Sequence, residues 1–567
     1  ALVQASGTMN ISVESFFTLS GDFALEKSTK TLKDSSGSNV DVDLLTLGGE
    51  NLNAFAGLNG GTANAVGLSL ADAGFALAIA TSKTDSTKTW RALVADAGST
   101  GFVGPENIEL SASSIKVAVN RPAADGSLIN FSAAPLTVST GPTTTRTIDF
   151  NSADGPLIEA SGSLKLNLNN FVQLSGDLAL RKSNATLTLS TGVDVSTEVL
   201  AIGGNNLSAF AGVNGGTANA TGFNLTGLNF AFAAATDTND RSRTWTALDA
   251  SATGVSFSGI PSVTITASSL DLSVNRPAAD STLINFAAAP LTVKTGPNTT
   301  RVLNLSGTSG ALLEAAGTLS IDVAGFFRVS GSLALRKSDF DLKLSDDTTQ
   351  QVQMLTVAGE NLSAFAGMNA ASADKAGLNL TGVDFALAVA TDKSNASRRW
   401  TTLQANVDSI ALTGITGVTM SSSDLAVTIN RKATDDTLAD YSSTKLKLST
   451  GSGSGSKELN VSSSTGEVTA ATAGTITVAV QDFFTVSGGL AVRSSRDTVT
   501  LSDETTFDAD LLTIGGNNIS AFAGLNGGSA TKTGIELSKT KFGLALITDR
   551  RDGTRKFTSL QATAGLA

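Results

Sequence analysis

Leu174-Ser175-Gly176-Asp177-Leu178-Ala179-Leu180 alternates apolar with polar or small residues, the period of two that a half-buried strand requires. Ser163-Leu164-Lys165-Leu166-Asn167-Leu168, Leu270-Asp271-Leu272-Ser273-Val274 and Val302-Leu303-Asn304-Leu305 repeat the pattern. Gly, Asn, Asp, Ser or Pro interrupt each stretch and read as turns. No segment of helical length shows a clean 3.6-residue period with caps. The chain is therefore expected to be all-β, with about ten to twelve short strands per repeat unit.

The stretch around Leu174 recurs. Phe16-Phe17-Thr18-Leu19-Ser20-Gly21 returns as Phe171-Val172-Gln173-Leu174-Ser175-Gly176, then at Phe326 and Phe483. Phe55 returns as Phe210, Phe365 and Phe522; Trp90 returns as Trp245, Trp400 and then Phe557; Asn120-Arg121 returns as Asn275-Arg276 and Asn430-Arg431. Such self-similarity marks a repeat architecture. The predicted organisation is the end of a preceding repeat at 1–6, repeats at 7–161, 162–316 and 317–473, and a partial repeat at 474–567. A two-residue insertion in the third repeat falls in 452–456 and reads as a hairpin tip.

Comparison between copies separates the faces of a strand. Phe75, Phe230, Phe385 and Phe542 are constant, while the residues before them are Gly74, Asn229, Asp384 and Lys541. One side is expected to be buried and the other wet. The Phe and Trp landmarks (Phe16, Phe171, Phe326, Phe483, Phe55, Phe210, Phe365, Phe522, Trp90, Trp245, Trp400, Phe557) are accordingly expected in the core. Two architectures fit: an elongated, repetitive β-solenoid-like stack, favoured because strand-like segments run across Gly162 and Gly317, and tandem β-sandwich modules, favoured by uneven landmark spacing.

Composition excludes much chemistry. The 567 residues include 0 Cys, 0 His and 1 Tyr, so imidazole bases, thiolates, disulfides and His or Cys metal sites are unavailable. The net charge of −11 argues against nucleic acid and against anionic membrane surfaces. No apolar run reaches the length of a spanning helix, so no membrane-spanning segment is expected. The chain begins without a charged and apolar leader pattern, placing any targeting signal elsewhere. Asp237, Asp240, Asp549 and Asp552 are calcium candidates in polar loops but lack the spaced ligand pattern of a dedicated site, so no cofactor is assigned. Asp125, Asp280 and Asp435 follow the Asn-Arg landmark and read as turn caps. Asn59-Gly60-Gly61 and its copies read as turns, since no Lys or helix start follows.

Ala-Phe-Ala-Gly-x-Asn-Gly-Gly, Phe-x-Leu-Ser-Gly-x-Leu-Ala-Leu-x-Lys-Ser and Val-Asn-Arg-Pro-Ala-Ala-Asp, within a repeat of this size, resemble the β-strand repeats of very large secreted bacterial surface proteins. That resemblance implies an extracellular, cell-surface or secreted location and the class of repetitive adhesins and fibre proteins. The function expected on this basis is structural: a non-enzymatic fibre, sheath or adhesin stalk giving reach and stiffness. Its partners would be further repeats or copies of itself, end to end, because the last repeat is incomplete. A glycan- or cell-binding adhesin module is the alternative, and a carboxylate-dependent polysaccharide-cleaving β-helix enzyme the third.

Overall fold

The computed structural model describes the chain outside residues 1, 14–16, 60, 61, 63, 104–107, 259–262, 309, 324–326, 369–374, 415, 416, 452–454, 482, 528, 566 and 567. It is all-β. The order begins with β1 (Val3–Val13), β2 (Phe17–Lys33), β3 (Asn39–Leu58), β4 (Val66–Ser82), β5 (Thr89–Val103) and β6 (Ile108–Arg121). A short hairpin follows, β7 (Leu136–Ser139) and β8 (Thr145–Ile148), and then β9 (Leu157–Leu168). The series resumes with β10 (Val172–Thr188), β11 (Asp194–Val213), β12 (Thr221–Asp237), β13 (Thr244–Ser258), β14 (Val263–Arg276) and a second hairpin, β15 (Leu291–Lys294) and β16 (Thr300–Leu303). Strands of 17 and 20 residues return at Phe327–Lys343 and Thr349–Met368, and again at Phe484–Thr500 and Thr506–Leu525.

The chain forms two compact units, residues 1–259 with 272–311, and 260–271 with 312–567. In the first, each long strand from β1 to β6 pairs antiparallel with the next, β6 pairs with β9, and the meander continues to β13. The second runs the same way from Leu312–Val323 to Lys556–Thr563. This corrects the solenoid. A solenoid stacks successive coils, whereas here every long strand doubles back on its predecessor. The tandem-sandwich alternative fares no better at Gly162, which lies inside β9, a strand paired to both β6 and β10.

The strands are long because their apparent turn residues are bulges. Asn51, Asp72 and Ser114 adopt φ of 53°, 52° and 52° in the middle of β3, β4 and β6. Asn206 (50°) and Ser269 (50°) do so in the second repeat, and Asn361 (52°) and Asp424 (53°) in the third. A residue in the left-handed region inserts one extra position and reverses the phase of the side chains without ending the strand. Glycine tolerates that conformation best and takes the Asp72 position in the next two copies, Gly227 (60°) and Gly382 (61°), with Asn and Asp next.

Each short hairpin lies across one face of the sheet near one end of the strands and buries a core there. In the first repeat Ile129, Phe131, Val138 and Ile148 pack on Val42, Leu44, Ala76, Ala78, Ala80 and Trp90. The alanine stripe of β4 lets the layer approach closely. Gly48 is required by the same contact, since a Cβ there would lie 2.2 Å from the Ser139 carbonyl oxygen. Equivalent cores surround Trp245 with Phe286 and Trp400 with Tyr441.

Candidate functional site

The two faces of the sheet differ throughout. Take first the face away from the hairpins. Register places Leu25, Leu47, Leu77, Leu93, Val119 and Ile158 in one row across β2 to β9. Towards the other strand end follow rows through Phe23, Gly49 and Phe75, through Leu52, Ala73, Ala97 and Ile115, through Leu19, Ala54, Leu70 and Leu164, and through Phe17, Ala56, Leu68, Phe102, Leu110 and Leu166. Among the described residues, bulge positions apart, no Asp, Glu, Lys or Arg stands on this face between the rows of Leu47 and Leu58. The second repeat has Leu180, Ile202, Phe232 and Leu248 in its first row. In the other unit, Leu335, Val357, Leu387, Leu403 and Ile429 take that place.

Among the described residues no hairpin or second sheet covers this apolar face, although Leu52, Ala73 and Ala97 are buried in it beneath Phe23, Leu70, Phe75 and Ile115. Leu68 is 57% exposed, Leu58 52% and Phe223 58%. From Leu47 to Leu58 the band spans about 36 Å along the strand at about 3.3 Å per residue. Seven strands about 4.8 Å apart give the first repeat alone roughly 1,000 Å² of contiguous apolar surface. Soluble monomers rarely expose patches beyond about 600 Å².

The hairpin-covered face is polar and small-residued away from the cores. Ser69, Ser111, Ser163 and Lys165 line it, with Asp177 accepting from Ser163 at 2.5 Å. One cation on the second strand of each hairpin reaches down to it. Arg146 binds Glu50 at 2.7 Å and also pairs with Asp96. Arg301 binds Asp249 at 2.7 Å and Ser251 at 3.0 Å. Lys457 pairs with Asp384 at 2.7 Å and Glu360 at 3.6 Å. The partners change position from copy to copy while the tie persists. Gly74 makes room for Arg146, whose guanidinium would lie 2.1 Å from a Cβ there, and the third copy puts the carboxylate of Asp384 at that position.

A polar cleft of about 690 Å³ opens on this face between the first two hairpins, lined by Asp96, Lys116, Asp149, Glu159, Lys294 and Asn298. Lys294 pairs with buried Glu159 at 2.6 Å, and Lys116 donates to Asn298 Oδ1 at 2.9 Å. Glu50, Asp96 and Glu159 are each held by a cation, so the groove presents fixed ion pairs around a wet space.

The sequence-derived candidates are dispersed. Trp90, Trp245 and Trp400 sit inside the hairpin cores, their indole N–H groups donating to the Ser127 carbonyl (2.9 Å), the Thr282 carbonyl (3.0 Å) and Thr437 Oγ1 (3.0 Å). Phe210, Phe365 and Phe522 are buried on the hairpin side, while Phe55 and Phe557 are half-buried. Phe171 and Phe483 are corrected: both are about half exposed, at the turn where the apolar face ends. Phe16, Phe326 and residues 452–454 of the insertion lie outside the described residues. At the calcium candidates, Asp237 pairs with Arg243 at 2.8 Å and Asp549 with Arg555 at 3.0 Å. Asp240 and Asp552 cap Ser242 and Thr554. Among the described residues no group of three or more acidic side chains gathers as a metal would need.

The loop carboxylates are structural anchors. Asp125 accepts from Lys88, Ser127 Oγ and the Ser127 amide, which hold its carboxyl well below the usual range. Burial opposes ionisation of Asp440, but hydrogen bonds from Ser442 and Ser463 outweigh it and hold its pKa down to about 2. An unfolded Asp titrates near about 3.9. The stabilisation from Asp440 is therefore complete above about pH 4 and lost as pH falls through about 2. Amide protection at Ser442 and Ser463, followed by hydrogen exchange, is expected to stay level down to about pH 4 and fall below it.

No known family and no curated protein matches the chain. Among solved structures it is similar to the ferric enterobactin receptor of Pseudomonas aeruginosa, at 8% identity over 100% of this chain and 81% of that one, with a TM-score of 0.20. It is also similar to the Pseudomonas aeruginosa siderophore receptor PirA (10%, 100% and 77%, 0.16) and to the outer membrane transporter YddB of Escherichia coli (9%, 99% and 74%, 0.14). Likenesses this slight carry no argument about this chain. The resemblance to adhesin repeats is withdrawn on the structure of the chain itself, whose antiparallel meander leaves exposed apolar side chains such as Leu68 and Phe223 along one face. The fibre, sheath, adhesin and end-to-end assembly readings go with it, for a physical reason also: a stalk standing in water needs a wet outer face, and this sheet leaves its apolar face bare. The expectation of no membrane-spanning segment is corrected as well. It applied the length of a helix, and although no helix among the described residues is long and apolar enough to cross, a tilted strand crosses with about 9 to 11 residues.

Proposed function

We propose that the chain forms part of the wall of a membrane-embedded β-barrel of the outer-membrane type, with the hairpin-covered face lining a path for polar solutes. The observation that carries this reading is the charge-free apolar band on the uncovered face, opposite a polar one. Water offers that face nothing, whereas a bilayer does. Strands tilted by about 45° reduce the 36 Å band to about 25 Å of height, the thickness of the apolar belt on such barrels. Phe171, Phe223, Phe327 and Phe483 at the far end occupy the level of an aromatic girdle. The class of function supported is passage or capture of polar solutes, for which the ion pairs of Arg146 and Lys294 and the Lys116–Asn298 hydrogen bond supply a wet, charged lining.

Reconstitution into planar phosphatidylcholine bilayers tests the reading. Stable insertion with ion conductance is expected. A protein that stays monomeric in detergent-free buffer and never partitions into bilayers would remove it.

A further inference from the structure

The Asn-Arg landmark has one half that the hairpin core uses and one half that it does not. Asn275 and Asn430 turn inward and donate to hairpin carbonyls of Ile284 (3.1 Å) and Ala439 (3.0 Å). Asn120 is likewise buried, so its neighbour Arg121 emerges on the apolar face. Arg91, flanked by buried Trp90 and Ala92, emerges there too. The two arginines are direct cross-strand partners on β5 and β6. Both are exposed, and among the described residues neither makes an ion pair. They stand one step beyond the Leu93 and Val119 row, where the apolar band stops.

Like charges directly opposite on neighbouring strands repel, and Cα atoms about 4.5 to 5.5 Å apart keep both guanidinium groups within reach of one anion. Lys27 lies in the same row three strands from Arg91, with Leu45 and Ile79 between them. We propose that Arg91 and Arg121 clamp the phosphate of an anionic lipid at the hairpin-proximal edge of the membrane band. A guanidinium offers paired donors in the plane that a phosphate oxygen pair matches, and the register sets both arginines on the same face as Ile79, Leu93 and Val119, apolar surface along which an arginine stem can lie. The overall charge of −11 does not oppose this, because a contact with a headgroup senses charges within about 10 Å. The inference rests on the membrane reading of the apolar face.

The test uses the full chain in nanodiscs of phosphatidylcholine mixed with phosphatidylglycerol, with native mass spectrometry counting retained lipids. The wild type is expected to retain phosphatidylglycerol preferentially. At about fivefold per cation near a charged headgroup, the double variant R91Q/R121Q should lose about thirtyfold of that preference, while R91K/R121K keeps most of it. Added inorganic phosphate should not displace the lipid. Equal preference in wild type and R91Q/R121Q, or release of the lipid by inorganic phosphate, overturns the clamp. Failure of the wild type to enter pure phosphatidylcholine discs would instead overturn the membrane reading itself, so the two failures are distinct.

Discussion

Leu70→Arg abolishes or severely slows membrane insertion, whereas Ser69→Arg, one residue away, leaves it nearly intact. Leu70 lies in the row of Leu19, Ala54 and Leu164 on the apolar face, midway along the band. A cation at that depth in lipid costs about 2 to 4 kcal/mol. Ser69 faces the polar side, where its hydroxyl donates to the Gly101 carbonyl at 3.2 Å. Losing that bond costs about 1 kcal/mol, and the new guanidinium meets water. Urea-dependent folding into phosphatidylcholine vesicles, followed by intrinsic Trp fluorescence, measures both. In water the gap would shrink to the packing that Leu70 loses against Leu52, Ala73 and Ala97, about 1 kcal/mol, the centre of point-mutant effects.

The second large effect belongs to the hairpin cores. Trp400 is fully buried among Leu344, Val352 and Tyr441, and its ring carries Arg398 at 5.0 Å. Arg398 in turn binds Asp392 at 2.8 Å and Asp435 at 2.5 Å. Trp400→Ala should therefore cost about 3 to 5 kcal/mol by leaving a cavity, and should free the amides around Leu438 and Ala439 to exchange. Trp400→Phe should cost less, because Phe557 fills the equivalent position in the last copy. Both variants should still insert, since the loss lies on the covered face. Thermal unfolding with hydrogen exchange separates the local from the global effect.

Much of this architecture was legible in the residues. The alternation around Leu174 announces strands, and constant Phe75 beside variable Gly74, Asn229, Asp384 and Lys541 announces one apolar and one polar face. What alternation cannot express is the identity of the medium against the apolar side. A protein core and a lipid tail demand the same side chains, so a buried core was the natural expectation and the bare face overturns it. Strand length is hidden in the sequence for a related reason. Asn51, Asp72 and Ser114 have the chemistry of turn residues, and only their place in a continuous ladder shows them to be bulges. Of the covered face, the Trp landmarks pointed to the hairpin cores. The Arg146, Arg301 and Lys457 ties had a weaker signal, a cation at one recurring position whose carboxylates move between strands.

The absence of Cys from the sequence permits a clean test of the central claim. Single cysteines placed at Leu47, Glu50, Leu52, Asn53, Ala54, Ala56 and Leu58, which leave the close-packed Gly48, Gly49 and Gly57 untouched, are each spin-labelled in phosphatidylcholine vesicles and report collision with lipid-soluble oxygen and with a water-soluble nickel chelate. The membrane reading predicts high oxygen access at Leu47, low at Glu50, and high again at Leu52, Ala54, Ala56 and Leu58, with nickel access dominating at Asn53; the odd step from Leu47 to Leu52 records the slip of phase at Asn51. Uniform nickel access at all of these positions, or alternation that continues through Asn51 without a slip, would contradict it.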